Sequence, residues 1–209
     1  MMQKICYAIV RRASYIFCKI MFRVEFIGRE NLPQNGVILA PNHTSYFDPV
    51  LVGAGLVRPV AYMARDTLFR NKLFGSIISL VYAFPIKRGR MDKVVLDKFI
   101  VLLKKGMALL VFPEGTRSLD GNLGRPKPGI GIIALSAEVP VVPVYIDGGY
   151  KVWPKGAKII KPVKVKVYYG KPMKFENIIK DDSIVFNDKA RLIAGAIVEE
   201  LDKMKKEVS

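Results

Sequence analysis

The stretch Val37-Ile38-Leu39-Ala40-Pro41-Asn42-His43-Thr44-Ser45-Tyr46-Phe47-Asp48-Pro49 reads as an apolar strand that breaks into a polar turn and hands over to a helix. It carries the chain's one histidine, with a carboxylate five residues later. Strand ends hold a side chain rigidly while leaving it open to substrate, so His43 and Asp48 are candidates for a base and the group that orients it. The same residues also suit an ordinary helix start, with Asp48 as N-cap, Pro49 at the first helical position and His43 as a polar turn residue. Alone, this segment leaves both readings open.

Outward from it the same rhythm repeats. Strands are expected at Val24–Ile27, Val37–Ala40, Val60–Met63, Ala83–Lys87, Ala108–Phe112, Val141–Ile146 and Val163–Tyr169, the last alternating Val and Lys. Helices are expected at Val50–Val57, Lys72–Leu80, Asp92–Lys105, Gly129–Glu138 and Lys189–Lys206, the last after an Asn187 cap. Strands alternating with helices imply an α/β fold, here one domain with a central mixed sheet flanked by helices. No internal repeat appears, and the Gly/Pro-rich segment 121–131 reads as a motif-bearing loop and not a linker.

A second strand, Ala108-Leu109-Leu110-Val111, runs into Phe112-Pro113-Glu114-Gly115-Thr116-Arg117-Ser118. A Gly beside a hydroxyl and an Arg at a strand exit offers backbone N–H groups and a planar guanidinium, which suit a phosphate; read alone, it is equally a turn. Taken with Asn42-His43-x4-Asp48, the chain resembles the glycerolipid acyltransferases, most closely the bacterial 1-acylglycerol-3-phosphate type. The resemblance runs from about Phe26 to Gly170, and these two motifs are its diagnostic pair. Weaker matches are Ala83-Phe84-Pro85-Ile86-Lys87-Arg88-Gly89 and Val139-Pro140-Val141-Val142-Pro143-Val144. Where many relatives carry Lys-Lys-Glu-Leu, this chain has Arg65-Asp66-Thr67-Leu68, which keeps the cation but not the lysine.

The resemblance implies transfer of a fatty acyl group from acyl-carrier protein or coenzyme A to the sn-2 hydroxyl of lysophosphatidic acid, giving phosphatidic acid. It leaves another lysolipid or glycerol 3-phosphate as the alternative acceptor. His43 would be the base and Asp48 its orienting carboxylate, with the substrate hydroxyl standing where a triad has its serine. Arg88 and Arg117 would hold the acceptor's phosphate, with Glu114, Gly115 and Thr116 lining the same site. Glu114 would order either a glycerol hydroxyl or Arg117. Oxyanion donors stay open between Arg65 and backbone N–H groups near Gly115. Ser45 lacks a Gly-x-Ser-x-Gly elbow and reads as a helix-start residue, which disfavours a serine hydrolase.

Composition narrows the partners. With 209 residues and 51% apolar content the chain can bury a core without staples; Cys6 and Cys18 are too few for a disulfide framework, and one histidine cannot anchor a His-rich metal site, so neither metal nor other cofactor is expected. Thirty-four basic residues against 18 acidic give a formal charge of +16. The excess is clustered: Lys4, Arg11, Arg12, Lys19 and Arg23 stand in the first 24 residues with no acid, and 151–174 holds eight lysines with no acid. Such faces attract nucleic acid, anionic lipid or an acidic carrier. No nucleic-acid motif or zinc spacing is present, so a nucleic-acid partner is not expected.

The N-terminal stretch favours lipid. At helical spacing Ile5, Ile9, Ala13, Ile16 and Ile20 share a face with Cys6, Val10, Phe17 and Met21, and cations gather on its flank. Residues 1–23 therefore read as an amphipathic helix lying in a membrane interface, or as a stripe docked on the core, ahead of a catalytic domain over 24–209. Leu73–Ile86, fourteen uncharged residues, is short for a bilayer span, which needs about 20. The expectation is a monotopic protein on the cytoplasmic face of an anionic membrane.

Overall fold

In a computed structural model the structure describes residues 2–87 and 92–208. Among these residues seven strands form one sheet: β1 (Glu25–Ile27), β2 (Val37–Pro41), β3 (Val60–Arg65), β4 (Ala83–Ile86), β5 (Ala108–Leu110), β6 (Val141–Asp147) and β7 (Lys166–Tyr169). Their order is β1-β7-β6-β2-β5-β3-β4, parallel throughout except between β6 and β7. The sheet is mixed, as expected. Among the described residues eight α-helices accompany it: α1 (Met2–Phe22), α2 (Asp48–Ala54), α3 (Lys72–Leu80), α4 (Lys93–Lys104), α5 (Gly129–Ala137), α6 (Gly149–Val152), α7 (Glu176–Lys180) and α8 (Phe186–Val208).

The central strands are apolar without a polar face because helices cover both sides, and their two-residue period divides the core. Ile38 and Ala40 of β2 pack with Leu109 and Val111 against residues of α4, α5 and α8. Val37 and Leu39 pack with Ala108 and Leu110 against α1 and α2, through Cys18, Phe22, Leu51 and Val52. From β2 the chain leaves through α2 on one face, and from β5 through α5 on the other. Adjacent parallel strands whose chains leave to opposite faces put the carboxyl ends of β2 and β5 at the usual ligand position of such a sheet. The two diagnostic motifs follow those two strands.

Several boundaries differ from expectation for identifiable reasons. Asp48 is the first residue of α2, Phe47 is its N-cap, and the Asp48 carboxylate makes no cap of the usual kind. Helix α8 begins at Phe186, so Asn187 lies inside it. Strand β7 starts at Lys166 because Val165 is taken up by the α1–β1 junction, donating to the Phe22 carbonyl and accepting from Glu25 N–H. The short helices α6 and α7 carry no periodic pattern long enough to read.

Helix α1 docks through residues outside its apolar stripe. Tyr7, Cys18 and Phe22 are buried, and the Tyr7 hydroxyl accepts from Val60 N–H at 3.0 Å. Burial pushes the Cys18 thiol up to about 12. Ile5, Ile9, Ile16, Phe17 and Ile20 are exposed, Ile20 at 76%. The stripe read from the sequence thus faces away from the core, and α3 likewise exposes Leu73, Phe74 and Ile77. No helix among the described residues is long and apolar enough to cross a membrane.

Candidate active site

The turn after β2 closes on its own carboxylate. Asp48 is fully buried, and its Oδ2 accepts from the N–H groups of Thr44 and Ser45, each at 2.7 Å, and meets His43 Nδ1 at 2.9 Å. An oxygen that already accepts two backbone donors is an acceptor only, so Nδ1 carries the proton and the Nε2 lone pair is free. Nε2 has no hydrogen bond among the described residues, and the side chain keeps 15% exposure. Burial, the largest influence, lowers the His43 pKa below the usual histidine value; Asp48 opposes this and Arg117 adds to it. The ring is therefore neutral at pH 7 and available as a base. Close approach of the chain from β6 completes the burial: a Cβ on Gly149 would meet Thr44 Oγ1 at 3.0 Å and Asp48 Oδ1 at 3.1 Å.

The motif after β5 holds His43 from the other side. Glu114 Oε1 accepts from His43 N–H at 2.9 Å, and Ser118 N–H donates to the His43 carbonyl at 2.7 Å. Both main-chain groups of the histidine are thus clamped by one loop, while Phe112 stacks on its ring with centroids 3.6 Å apart. Glu114 Oε2 accepts from Gly124 N–H at 2.8 Å, so this carboxylate spends both oxygens on backbone and none on Arg117. Burial raises the Glu114 pKa against the lowering effect of those two hydrogen bonds. Gly115 sits at φ +64°, a left-handed turn that favours glycine and throws Thr116 and Arg117 out of the strand direction.

Arg117 lies over the Tyr46 ring, Cζ 3.3 Å from its centroid, and its Nη1 is buried without a partner. A buried guanidinium nitrogen with nothing to donate to is costly unless a ligand oxygen meets it, and a phosphate fits that need. Asn42 secures the turn's other end by exchanging two hydrogen bonds with the Ile146 backbone, at 2.7 and 3.3 Å. Ser45 Oγ accepts from Phe47 N–H and donates to the Trp153 carbonyl, so it is a fully buried turn residue.

The structure brings His43, Asp48, Glu114 and Arg117 together, with Gly115 and Thr116 exposed on the adjoining turn. Arg65 ends β3, two strands from β2 on the same carboxyl edge, exposed and not hydrogen-bonded to the other site residues. Arg88 and Gly89 lie outside the described residues. Sequence reasoning missed the clamp by Ser118, the tie to Gly124 and the ring partner Trp153, because each is a backbone or tertiary contact that residue type does not announce. Among the described residues no cluster of three or more His, Cys, Asp or Glu is placed to hold a metal.

The chain is similar to known proteins over most of its length. The family model described as Acyltransferase matches residues 23–147. The 1-acyl-sn-glycerol-3-phosphate acyltransferase of Bacillus subtilis is 31% identical over 170 residues, covering 80% of this chain and 82% of that one. The chloroplastic 1-acyl-sn-glycerol-3-phosphate acyltransferase LPAT1 of Arabidopsis thaliana is 32% identical over 157 residues, 73% of this chain and 44% of that longer protein. Among solved structures, the 1-acyl-sn-glycerophosphate acyltransferase PlsC from Thermotoga maritima superimposes with a TM-score of 0.68 at 30% identity, covering 92% of this chain and 80% of that one.

Proposed function

The chain belongs to the acyltransferase family, and from that premise we propose that it acylates the sn-2 hydroxyl of lysophosphatidic acid to give phosphatidic acid. The donor is a thioester of acyl-carrier protein or coenzyme A, and the protein works at the surface of an anionic membrane, on the cytoplasmic face. The observation that carries this reading is the pairing of a neutral, Asp48-oriented His43 with an Arg117 whose buried nitrogen lacks a partner. Base and phosphate ligand lie on neighbouring turns after the adjacent strands β2 and β5, which suits an acceptor bearing both a hydroxyl and a phosphate.

The chemistry follows from the groups present. His43 Nε2 removes the proton as the acceptor hydroxyl attacks the thioester carbonyl carbon, and Asp48 stabilises the imidazolium that forms. When the tetrahedral intermediate collapses, the C–S bond breaks and the imidazolium returns its proton to the departing thiolate. A new ester and a free thiol result, with no acyl-enzyme. Phosphate held at Arg117, joined by Arg88 in this reading, restricts the acceptor so that attack becomes effectively intramolecular. Lipid acceptors are favoured over glycerol 3-phosphate by the outward apolar stripe of α1.

Incubating the purified protein with lysophosphatidic acid and each labelled thioester, and following phosphatidic acid, tests the activity and separates the donors. Acylation of glycerol 3-phosphate alone would overturn the acceptor. Deletion of residues 1–23 is expected to release most of the protein from anionic vesicles in sedimentation; retention equal to full length would overturn the interfacial role of α1.

A further inference from the structure

Between α6 and β7 the chain forms a closed loop that the catalytic chemistry leaves unused. Lys161 N–H donates to the Val152 carbonyl at 2.9 Å, shutting the loop, and the Trp153 indole N–H donates to the Ala157 carbonyl at 2.9 Å, bracing it from inside. Ile160 and Val163 pack on the core, so the tip is held out rigidly. That tip shows Lys155, Lys158 and Lys161, all exposed and none meeting an acid among the described residues, around Ile159 at 74% exposure. The loop adjoins both the site and α1. Tyr46 N–H donates to the Trp153 carbonyl, the neighbouring Phe47 ring touches Phe17 of α1, and Val165 N–H donates to the last carbonyl of α1.

We propose that this loop is a second membrane contact, in which the three lysines meet anionic phospholipid headgroups while Ile159 enters the interface, so that protein and bilayer meet on both sides of the catalytic turn. Unpaired cations ringing one protruding aliphatic side chain match a charged surface with an apolar layer beneath it. The proposal rests on the membrane reading above. Its test neutralises Lys155, Lys158 and Lys161 to Gln in the full chain and, as a control of equal charge, Lys180, Lys203 and Lys206. Sedimentation uses vesicles of phosphatidylcholine with and without phosphatidylglycerol, an anionic lipid whose surface attracts each lysine. Expected is a loss of about tenfold or more in anionic-vesicle partitioning for the loop triple only. Equal losses in both triples would overturn it, as would unchanged partitioning with a raised KM for the carrier thioester, which would give the loop to the donor. No partitioning by the unaltered protein would overturn the membrane reading itself.

A separate observation concerns Arg117. Its guanidinium rests on Tyr46, and Tyr46 in turn leans on Trp153 with ring centroids 4.9 Å apart. The geometry points to Tyr46 as a positioning residue that holds the guanidinium plane toward the acceptor phosphate, Trp153 keeping the ring from rotating away. This rests on the phosphate role given to Arg117. Tyr46 is exposed, so truncation removes a shelf and no core. Tyr46→Ala is expected to raise the KM for lysophosphatidic acid about three- to tenfold, the range of a cation–π contact, with kcat and donor KM nearly constant. Tyr46→Phe, which keeps the ring, should restore it, and a monoacylglycerol lacking phosphate should show no effect. An unchanged KM in Tyr46→Ala while Arg117→Lys raises it would overturn the shelf alone. An unchanged KM in both would overturn the phosphate role as well.

Discussion

Around His43 the polar atoms are matched by protein: ring Nδ1 to Asp48, main-chain N–H to Glu114, carbonyl to Ser118, and the Asp48 carboxylate to two further N–H groups. Around Arg117, a few residues further along the clamping loop, the pattern reverses, with a buried Nη1 that has no partner and a ring beneath it in place of a carboxylate. The first region holds one geometry before any substrate arrives, which is what a base needs if its lone pair is to meet a hydroxyl without reorganisation. The second leaves a guanidinium nitrogen without a partner, which is what the proposed phosphate role requires. Besides the free Nε2, Thr44 Oγ1 and Asp48 Oδ1, facing Gly149, are unmatched in the first region.

Substitutions can break this contrast. His43→Ala should leave thermal unfolding nearly unchanged and lower kcat by about 10² or more, and Asp48→Asn should approach the same loss through the wrong tautomer. Near wild-type turnover in well-folded His43→Ala would remove the base from the first region. Glu114→Gln sharpens the division: one of its two N–H partners loses its acceptor, so kcat should fall about tenfold and stability by about 1–3 kcal/mol, with acceptor KM constant. A change confined to acceptor KM would move Glu114 into the second region.

Arg117→Lys keeps the charge and loses the fork, so acceptor KM should rise roughly tenfold at steady kcat, the worth of a charge-assisted bidentate contact. The smallest effect is on pH dependence. Because burial and Arg117 lower the His43 pKa, the base form is lost only as pH falls below the usual histidine value of about 6.5. Removing the cation in Arg117→Gln should move the acid limb of kcat/KM upward, whereas Arg117→Lys should leave it in place. Matching limbs in both variants would mean that the two regions do not sense each other.

Much of this was legible in the residues. Lys72–Leu80 matches α3 at both ends, and the structure shows why it starts there: Asn71 caps it through Phe74 N–H. The pairing of His43 with Asp48 was readable only beside residues 112–118, since the segment alone suited a helix start as well; the structure sets Nδ1 2.9 Å from Asp48 Oδ2. The fate of Glu114 was not legible: both oxygens go to main-chain N–H groups of His43 and Gly124, 71 and 10 residues away, and a backbone donor looks alike in any sequence. Nor did the wheel of α1 tell which side would dock, because Tyr7, Cys18 and Phe22 form a narrow second seam and the broader stripe turned outward.

That seam makes α1 its own reporter. Cys18 is sealed under the helix, where burial both hides the thiol and raises its pKa, while Cys6 on the same helix is half-buried. As long as α1 stays seated, a maleimide should modify Cys6 and pass over Cys18. A helix that peels from the sheet to enter lipid would add a second label, counted as one mass increment, whereas a helix that binds lipid with its outward stripe alone would keep the count at one.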